Sequence, residues 1–301
     1  MSLPEKQITK YLQPQILTSI SNLELIAKLV VEGFITGLHK SPFHGFSVEF
    51  SQHKAYNPGD SLRYIDWKVL GRTDRYYIKQ FEEETNVRAY ILMDISKSML
   101  FGSGAVSKAQ YSSYLAAALF YMLIRQRDAV GLALFDENVQ KNLTPKSVFS
   151  YLDLLLREID QARYGADTHI ANAIHTLAEQ IRRRSLIILI SDLLDDPDEI
   201  ISGLKHFRHD QHEVLVFHVI DKKEVIFDFD GEIIFEDLES GDRLRTHPGF
   251  IREDYIQQYQ KYLSDLAAKM RNNRIEYQQL YTDTPLDIAL SQFISKRKKM
   301  L

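Results

Sequence analysis

Three oxygen-bearing side chains at alternate positions, Asp94, Ser96 and Ser98, follow an apolar run that ends at Met93. On an extended turn leaving a strand, alternate side chains face the same way, so these three can converge on one point. Thr168 ends the segment from Gly165 that enters an apolar-periodic stretch. Asp192, with Ser191, follows the apolar run Leu186–Ile190. All five are hard oxygen donors, with no imidazole or thiolate among them. Mg²⁺, which wants near-octahedral oxygen coordination and keeps water in its shell, suits such a set, and Mn²⁺ is a possible substitute. The hydroxyls are neutral, so only two carboxylates would offset the charge of the cation. The ion would stay electrophilic and open to an Asp or Glu carboxylate from a protein partner. The same residue types also serve as turn and capping residues, and Thr168 has a plain alternative as the cap of the helix that follows.

These donors need a scaffold. Short, continuously apolar runs at Ala89–Met93, Val130–Phe135, Leu186–Ile190, Val214–Ile220 and Ile275–Tyr281 suit strands buried on both faces of a parallel sheet. Between them, helical patterns occupy Lys108–Arg125, Lys146–Ile159, Ile170–Arg183, Asp198–Phe207, Ile251–Arg271 and Leu286–Lys298. Ser107 to Gln110 reads as a capping box. Thr144–Pro145, Asp196–Pro197 and Thr284–Pro285 each offer a capping side chain before a proline at the first helical position. Alternating strand and helix predicts an α/β fold with a doubly wound, mostly parallel sheet and right-handed crossovers. In such a sheet ligands gather at the carboxyl ends of the strands, where strand order reverses. Residues 1–87 differ, with one amphipathic helix over Ile16–Leu38 and strand-like pieces at Phe46–Phe50 and Tyr76–Phe81. They are expected to form an extension packed on a main domain spanning 88–301. Within residues 222–250, Asp230–Gly231 between the runs from Val225 and from Ile233 predicts a β-hairpin excursion.

Composition narrows the function. The chain has 301 residues, 37 Lys plus Arg against 41 Asp plus Glu, and no Cys. The missing Cys removes disulfides, thiolate metal sites and Cys nucleophiles. A net charge of −4 argues against broad nucleic-acid binding. No basic flank followed by an apolar stretch opens the chain, so no secretory signal is expected. The apolar run Leu115–Ile124 is too short to span a bilayer. A cytoplasmic setting without an integral membrane segment is the expectation.

The order and placement of the three motifs resemble the von Willebrand factor A domain and its metal-ion-dependent adhesion site. That resemblance implies that Asp94, Ser96, Ser98, Thr168 and Asp192 form the site. The Ser and Thr oxygens would contact the metal directly or through water, and the aspartates would act mainly through water while orienting the hydroxyls. Upstream lie Gly45 to Phe50, Tyr56 to Asp60, Leu62–Arg63, Ile65 to Trp67, Arg72 and Phe81–Glu82. Together with the Asp94 motif this segment is similar to the bacterial domain-of-unknown-function family fifty-eight, whose members join it to an A-type domain. The resemblance implies a non-catalytic, metal-dependent protein-interaction module working with a MoxR-type AAA+ ATPase in the assembly or activation of other proteins. Many relatives carry membrane segments at the amino end; this sequence shows none, so a membrane location does not transfer.

Other signals weigh less. Asn57 to Asp60 is a turn. The charges of Asp60, Arg63, Asp66 and Arg72 around Trp67 read first as an ion-paired brace and second as a docking surface. His206, His209 and His212 are spaced by three and could share a face as metal ligands, but a helix end favours His through its dipole. The run Lys296 to Lys299 complements a helix carboxyl end. Gly102 to Gly104 is too short for a phosphate loop, and neither a P-loop nor a Gly-x-Ser-x-Gly elbow is present. The alternative function is a Mg²⁺-dependent phosphohydrolase of haloacid-dehalogenase-like type. Its acid would have to be Ser96, which is unsuited to proton transfer near neutrality. A scaffold whose ion is purely structural is the third reading.

Overall fold

The structure is a computed structural model that describes residues 13–38, 53–55, 67–73, 76–79, 87–165, 170–236 and 241–300. Its centre is a six-stranded sheet built from β3 (Arg88–Asp94), β4 (Ala129–Phe135), β5 (Val139–Lys146), β6 (Leu186–Ser191), β7 (Glu213–Ile220) and β10 (Glu276–Tyr281). The spatial order is β10-β7-β6-β3-β4-β5. All pairings are parallel except that of β5 with β4. The chain leaves β3 towards β4 on one side and returns to β6 on the other. The reversal of strand order therefore falls between β3 and β6, where Met93 pairs with Ile190.

Two apolar layers sandwich this sheet. One face is covered by α4 (Lys108–Arg125), α5 (Ser150–Asp160) and α10 (Leu286–Met300), and α2 (Leu23–Leu38) lies outside α4. The other face is covered by α6 (Ile170–Gln180), α7 (Pro197–His209) and α9 (Pro248–Asn272). Because α4 sits between the sheet and α2, it is buried nearly all round, which explains the unbroken apolar stretch Leu115–Ile124. Ile26, Val30, Val31 and Phe34 of α2 belong to the same core as α4. Small residues let elements approach closely. A Cβ on Gly203 of α7 would come within 2.8 Å of Ile174 on α6.

The strand assignments from apolar runs hold to within a residue or two at each end, and the capping box of Ser107 and Gln110 is present. Asp196 caps α7 by accepting from the Asp198 and Glu199 amides, with Pro197 as first helical residue. Several expectations need correction. Thr144 and Pro145 do not cap a helix; they lie in β5, an antiparallel edge strand with no counterpart among the apolar runs. The helix expected from Lys146 begins instead at Ser150. Thr284 does not cap α10, since its hydroxyl accepts from the Tyr281 amide. The helix expected over Ile16–Leu38 is broken into α1 (Pro14–Leu17) and α2. Thr18 and Ser19 hydroxyls donate back to the Gln15 and Ile16 carbonyls, and the Asn22 side chain accepts from the Leu25 amide, so local side chains end one helix and start the next.

The hairpin also differs from expectation. Val225 to Phe229 is not one of its strands. Asp221 and Glu224 form a capping box that winds Lys222–Ile226 into the short helix α8, which ends at Phe227 in the left-handed region, φ 48°. The strand from Ile233 (β8, Ile233–Glu236) pairs with β9 (Arg243–Thr246). Gly231, at φ 76°, supplies the bend before β8. Within the amino-terminal segment, β1 (His53–Ala55) pairs antiparallel with β2 (Tyr77–Lys79), and α3 spans Trp67–Thr73. The expected strand at Phe46–Phe50, and Asp60, Arg63 and Asp66 of the charge cluster, lie outside the described residues.

Candidate metal-ion site

Asp94 ends β3, and the carbonyl of Phe135 on the neighbouring strand takes the Ile95 amide, so the chain leaves the sheet in a fixed direction. A 3₁₀ turn over Lys97–Leu100 follows, with Ser96 extended at its start, φ −64° and ψ 160°. Asp94, Ser96 and Asp192 are fully buried, and Ser98 is nearly so. Asp94 Oδ1 accepts from the Ser96 amide at 2.8 Å, and Oδ2 accepts from the Ser191 hydroxyl at 2.6 Å. The hydroxyls of Ser96 and Ser98 stand 3.0 Å apart. Ser98 lies near enough to the Asp192 carboxylate to help lower its pKa. Four of the five expected residues thus meet at the point where strand order reverses. Thr168 lies outside the described residues.

Electrostatics at this place are severe. Burial pushes the Asp94 carboxyl up to about 7; repulsion from Asp192 adds to this, and the hydrogen bonds from Ser191 and Ser96 oppose it. Burial acts on Asp192 in the same direction, but the adjacent Lys108 ammonium outweighs it and holds that carboxyl below the usual carboxylate range. Lys108, the first residue of α4, is 1% exposed, and its Nζ donates to Asp192 Oδ2 at 2.8 Å and to Glu224 Oε1 at 2.6 Å. Burial alone would lower its pKa; the two carboxylates outweigh that and keep it charged. Nearby, Asp221 takes the amide and hydroxyl of Ser103, tying the loop after β3 to the end of β7. His218 of β7, with Nδ1 2.6 Å from the Tyr277 hydroxyl, is pushed down to about 4 by burial and stays neutral.

The donor set fits a hard divalent cation. Two adjacent ligands of an octahedral Mg²⁺ at ~2.1 Å lie about 3.0 Å apart, and the Ser96 and Ser98 hydroxyls have that separation. Among the described residues Asp192 and Glu224 outnumber the ammonium of Lys108, and a divalent ion would balance the remaining negative charge while favouring ionisation of Asp94, whose carboxyl burial holds near 7. Ser96 and Ser98 would hold the ion, with Asp94 and Asp192 behind them. Among the described residues no group of three His, Cys, Asp or Glu side chains is placed to hold a metal by itself, so the hydroxyls are essential to any such site.

Sequence reading names Ser191 beside Asp192 without giving it a role, and it misses Lys108 and Glu224. Lys108 carried a legible signal, since it falls on the buried stripe of α4 with Tyr111, Ser112 and Leu115. Glu224 carried none, because its approach is a long-range contact. The three histidines do not converge. His206 packs against His175, and His209 is exposed beside Asp210. His212 is buried, its Nδ1 accepting from the Ser185 amide at 3.1 Å and its Nε2 facing the Ile181 carbonyl at 2.8 Å. Burial lowers its pKa from the ordinary 6.5. A depressed imidazole contributes stability in full above pH 6.5, and that contribution is lost as pH falls through its native value, because the unfolded chain takes up the proton first. Thermal melts from pH 8 to 5 are therefore expected to show falling stability below about pH 6.5, and His212→Gln should make this limb shallower, the remainder coming from the more strongly depressed His218. An unchanged limb in the variant would count against His212 as its source.

Comparison with known proteins places the chain. It belongs to the family described as "Protein of unknown function DUF58", whose model matches residues 52–263. Its six-stranded, mostly parallel sheet between two helical layers is the doubly wound α/β architecture expected from the sequence. An uncharacterised protein of Mycobacterium bovis and one of Mycobacterium tuberculosis are each 25% identical over 291 residues, 95% of this chain and 91% of theirs. Among solved structures, similarity extends to the conserved hypothetical protein BatB from Bacteroides thetaiotaomicron, with 21% identity, a TM-score of 0.48, and coverage of 71% of this chain and 99% of that one. An aerotolerance-related membrane protein from Bacteroides fragilis is similar at 20% identity and a TM-score of 0.46, covering 70% of this chain and 99% of that one. Among the described residues no helix is long and apolar enough to cross a membrane.

Proposed function

We propose that the protein is a non-catalytic interaction module whose carboxyl-edge site binds Mg²⁺, or Mn²⁺ in its place, and completes the ion's coordination with an Asp or Glu of a protein partner. The observation that carries this reading is the meeting of Asp94, Ser96, Ser98 and Asp192 at the strand-order reversal, with more buried negative than positive charge around them. Family membership supports a MoxR-type AAA+ ATPase as the partner, and a cytoplasmic setting follows from a partner that consumes ATP. Both oxygens of Asp94 are engaged by Ser96 and Ser191, and no second carboxylate stands at position 96. These facts favour binding over phosphoryl transfer, which needs a free nucleophile and a general acid.

Isothermal titration with Mg²⁺ and Mn²⁺ tests the reading. The wild type is expected to bind, and Asp94→Ala and Ser96→Ala are expected to lose at least about tenfold in affinity while keeping the far-UV spectrum. Binding to the purified MoxR-type ATPase should disappear in EDTA and in Asp94→Ala. Equal partner affinity with and without the ion would sink the metal-dependent reading. Hydrolysis of a generic phosphoester that is lost in Asp94→Asn would favour the enzyme instead.

A further inference from the structure

We infer that Lys108 is a resident counter-ion of this site: it holds Asp192 while no divalent cation is bound, and Glu224 keeps it when the ion claims Asp192. The inference rests on the metal reading above and adds to it the residues that set how tightly the ion is held. A lysine ammonium with 1% exposure is retained in a fold only where carboxylates surround it. Here its two acceptors come from different elements. Asp192 follows β6 at the carboxyl edge, beside the Asp94 carboxyl that repels it, so it stands behind the serines that would hold the ion; Glu224 sits in the capping box of α8, its other oxygen taken by the Asp221 amide. A cation at Ser96 and Ser98 and the Lys108 ammonium would then compete for one carboxylate. Glu224, half-buried and hydrogen-bonded to the Asp221 amide, is fixed where it can retain the ammonium through that exchange. Occupancy at the serines is thereby linked to α8 through a single charged side chain.

The test is Mn²⁺ uptake by the full chain, read as loss of the free-ion paramagnetic resonance signal, for wild type, Lys108→Met, Glu224→Gln and the double variant. Lys108→Met is expected to bind Mn²⁺ at least about tenfold more tightly, because a neighbouring positive charge is gone. Glu224→Gln is expected to bind several-fold more weakly, because Lys108 is left with Asp192 alone. In the Lys108→Met background the Glu224→Gln effect should vanish; a persistent effect would mean that Glu224 acts on the ion directly and would overturn the exchange. Uptake by the wild type that is unchanged or weakened in Lys108→Met overturns this inference and leaves the metal reading standing. No uptake by any of the four overturns both. If Lys108→Met fails to fold, Glu224→Gln, which keeps the Lys108–Asp192 pair, still decides: unaltered affinity overturns the inference.

Discussion

Lys108→Ala is expected to cost about 3–5 kcal/mol of folding stability in metal-free buffer, the range found when one member of a buried ion pair is removed. The cost comes from what is left behind. Asp192, whose side chain is 2% exposed, loses the one ammonium paired with it among the described residues, and Glu224 loses the ammonium that offsets its own burial. Asp94 resists ionisation first through its burial and second through the charge of Asp192, so it offers the stranded Asp192 no compensation. Urea titration in EDTA measures the effect. Adding Glu224→Gln to Lys108→Ala should recover part of the loss by removing one stranded carboxylate. A loss below about 1 kcal/mol, the size of an exposed pair, would mean that water reaches the ammonium and that the buried pair is not as described.

Gly131→Val is expected to be the most damaging change in the sheet away from the site. A Cβ at Gly131 would stand 2.4 Å from the Leu143 carbonyl oxygen and 2.9 Å from the Pro145 nitrogen, both backbone atoms of β5. Neither can swing aside as a side-chain tip would, so β5 must lift from β4. The pairing is already irregular there, with a register shift between Val130 and Leu132 that accommodates Pro145. Overpacking of this kind costs about 1–3 kcal/mol for one extra methyl group, and valine should exceed it. Hydrogen exchange should quicken across β5 while the β3–β6 ladder stays protected, since Gly131 pairs with Tyr90 of β3 on the side away from β6. Wild-type stability in Gly131→Val would show that β5 is not held as closely as the geometry implies.

The buried strands were readable because burial on both faces leaves continuous apolar runs such as Leu186 to Ile190. β5 was not, because an edge strand is half solvated, and Thr144–Pro145 imitates a helix start. The run Val225 to Phe229 reads as a strand, yet Phe227 and Phe229 serve an aromatic cluster with Phe235 and Tyr255. The apolar signal there was tertiary packing, not strand pairing. At the site, Asp94, Ser96, Ser98 and Asp192 were legible from spacing and position after strands. The Lys108–Glu224 contact spans 116 residues, and no local pattern announces it.

The two rims of the sheet are unlike. On β5, Pro145 withholds a donor and Lys141 and Lys146 add charge, which discourages a foreign strand from adding there. The Glu276–Tyr281 rim has neither proline nor lysine. Any assembly that lengthens this sheet by strand addition is thus directed to β10, beyond β7 and away from β4.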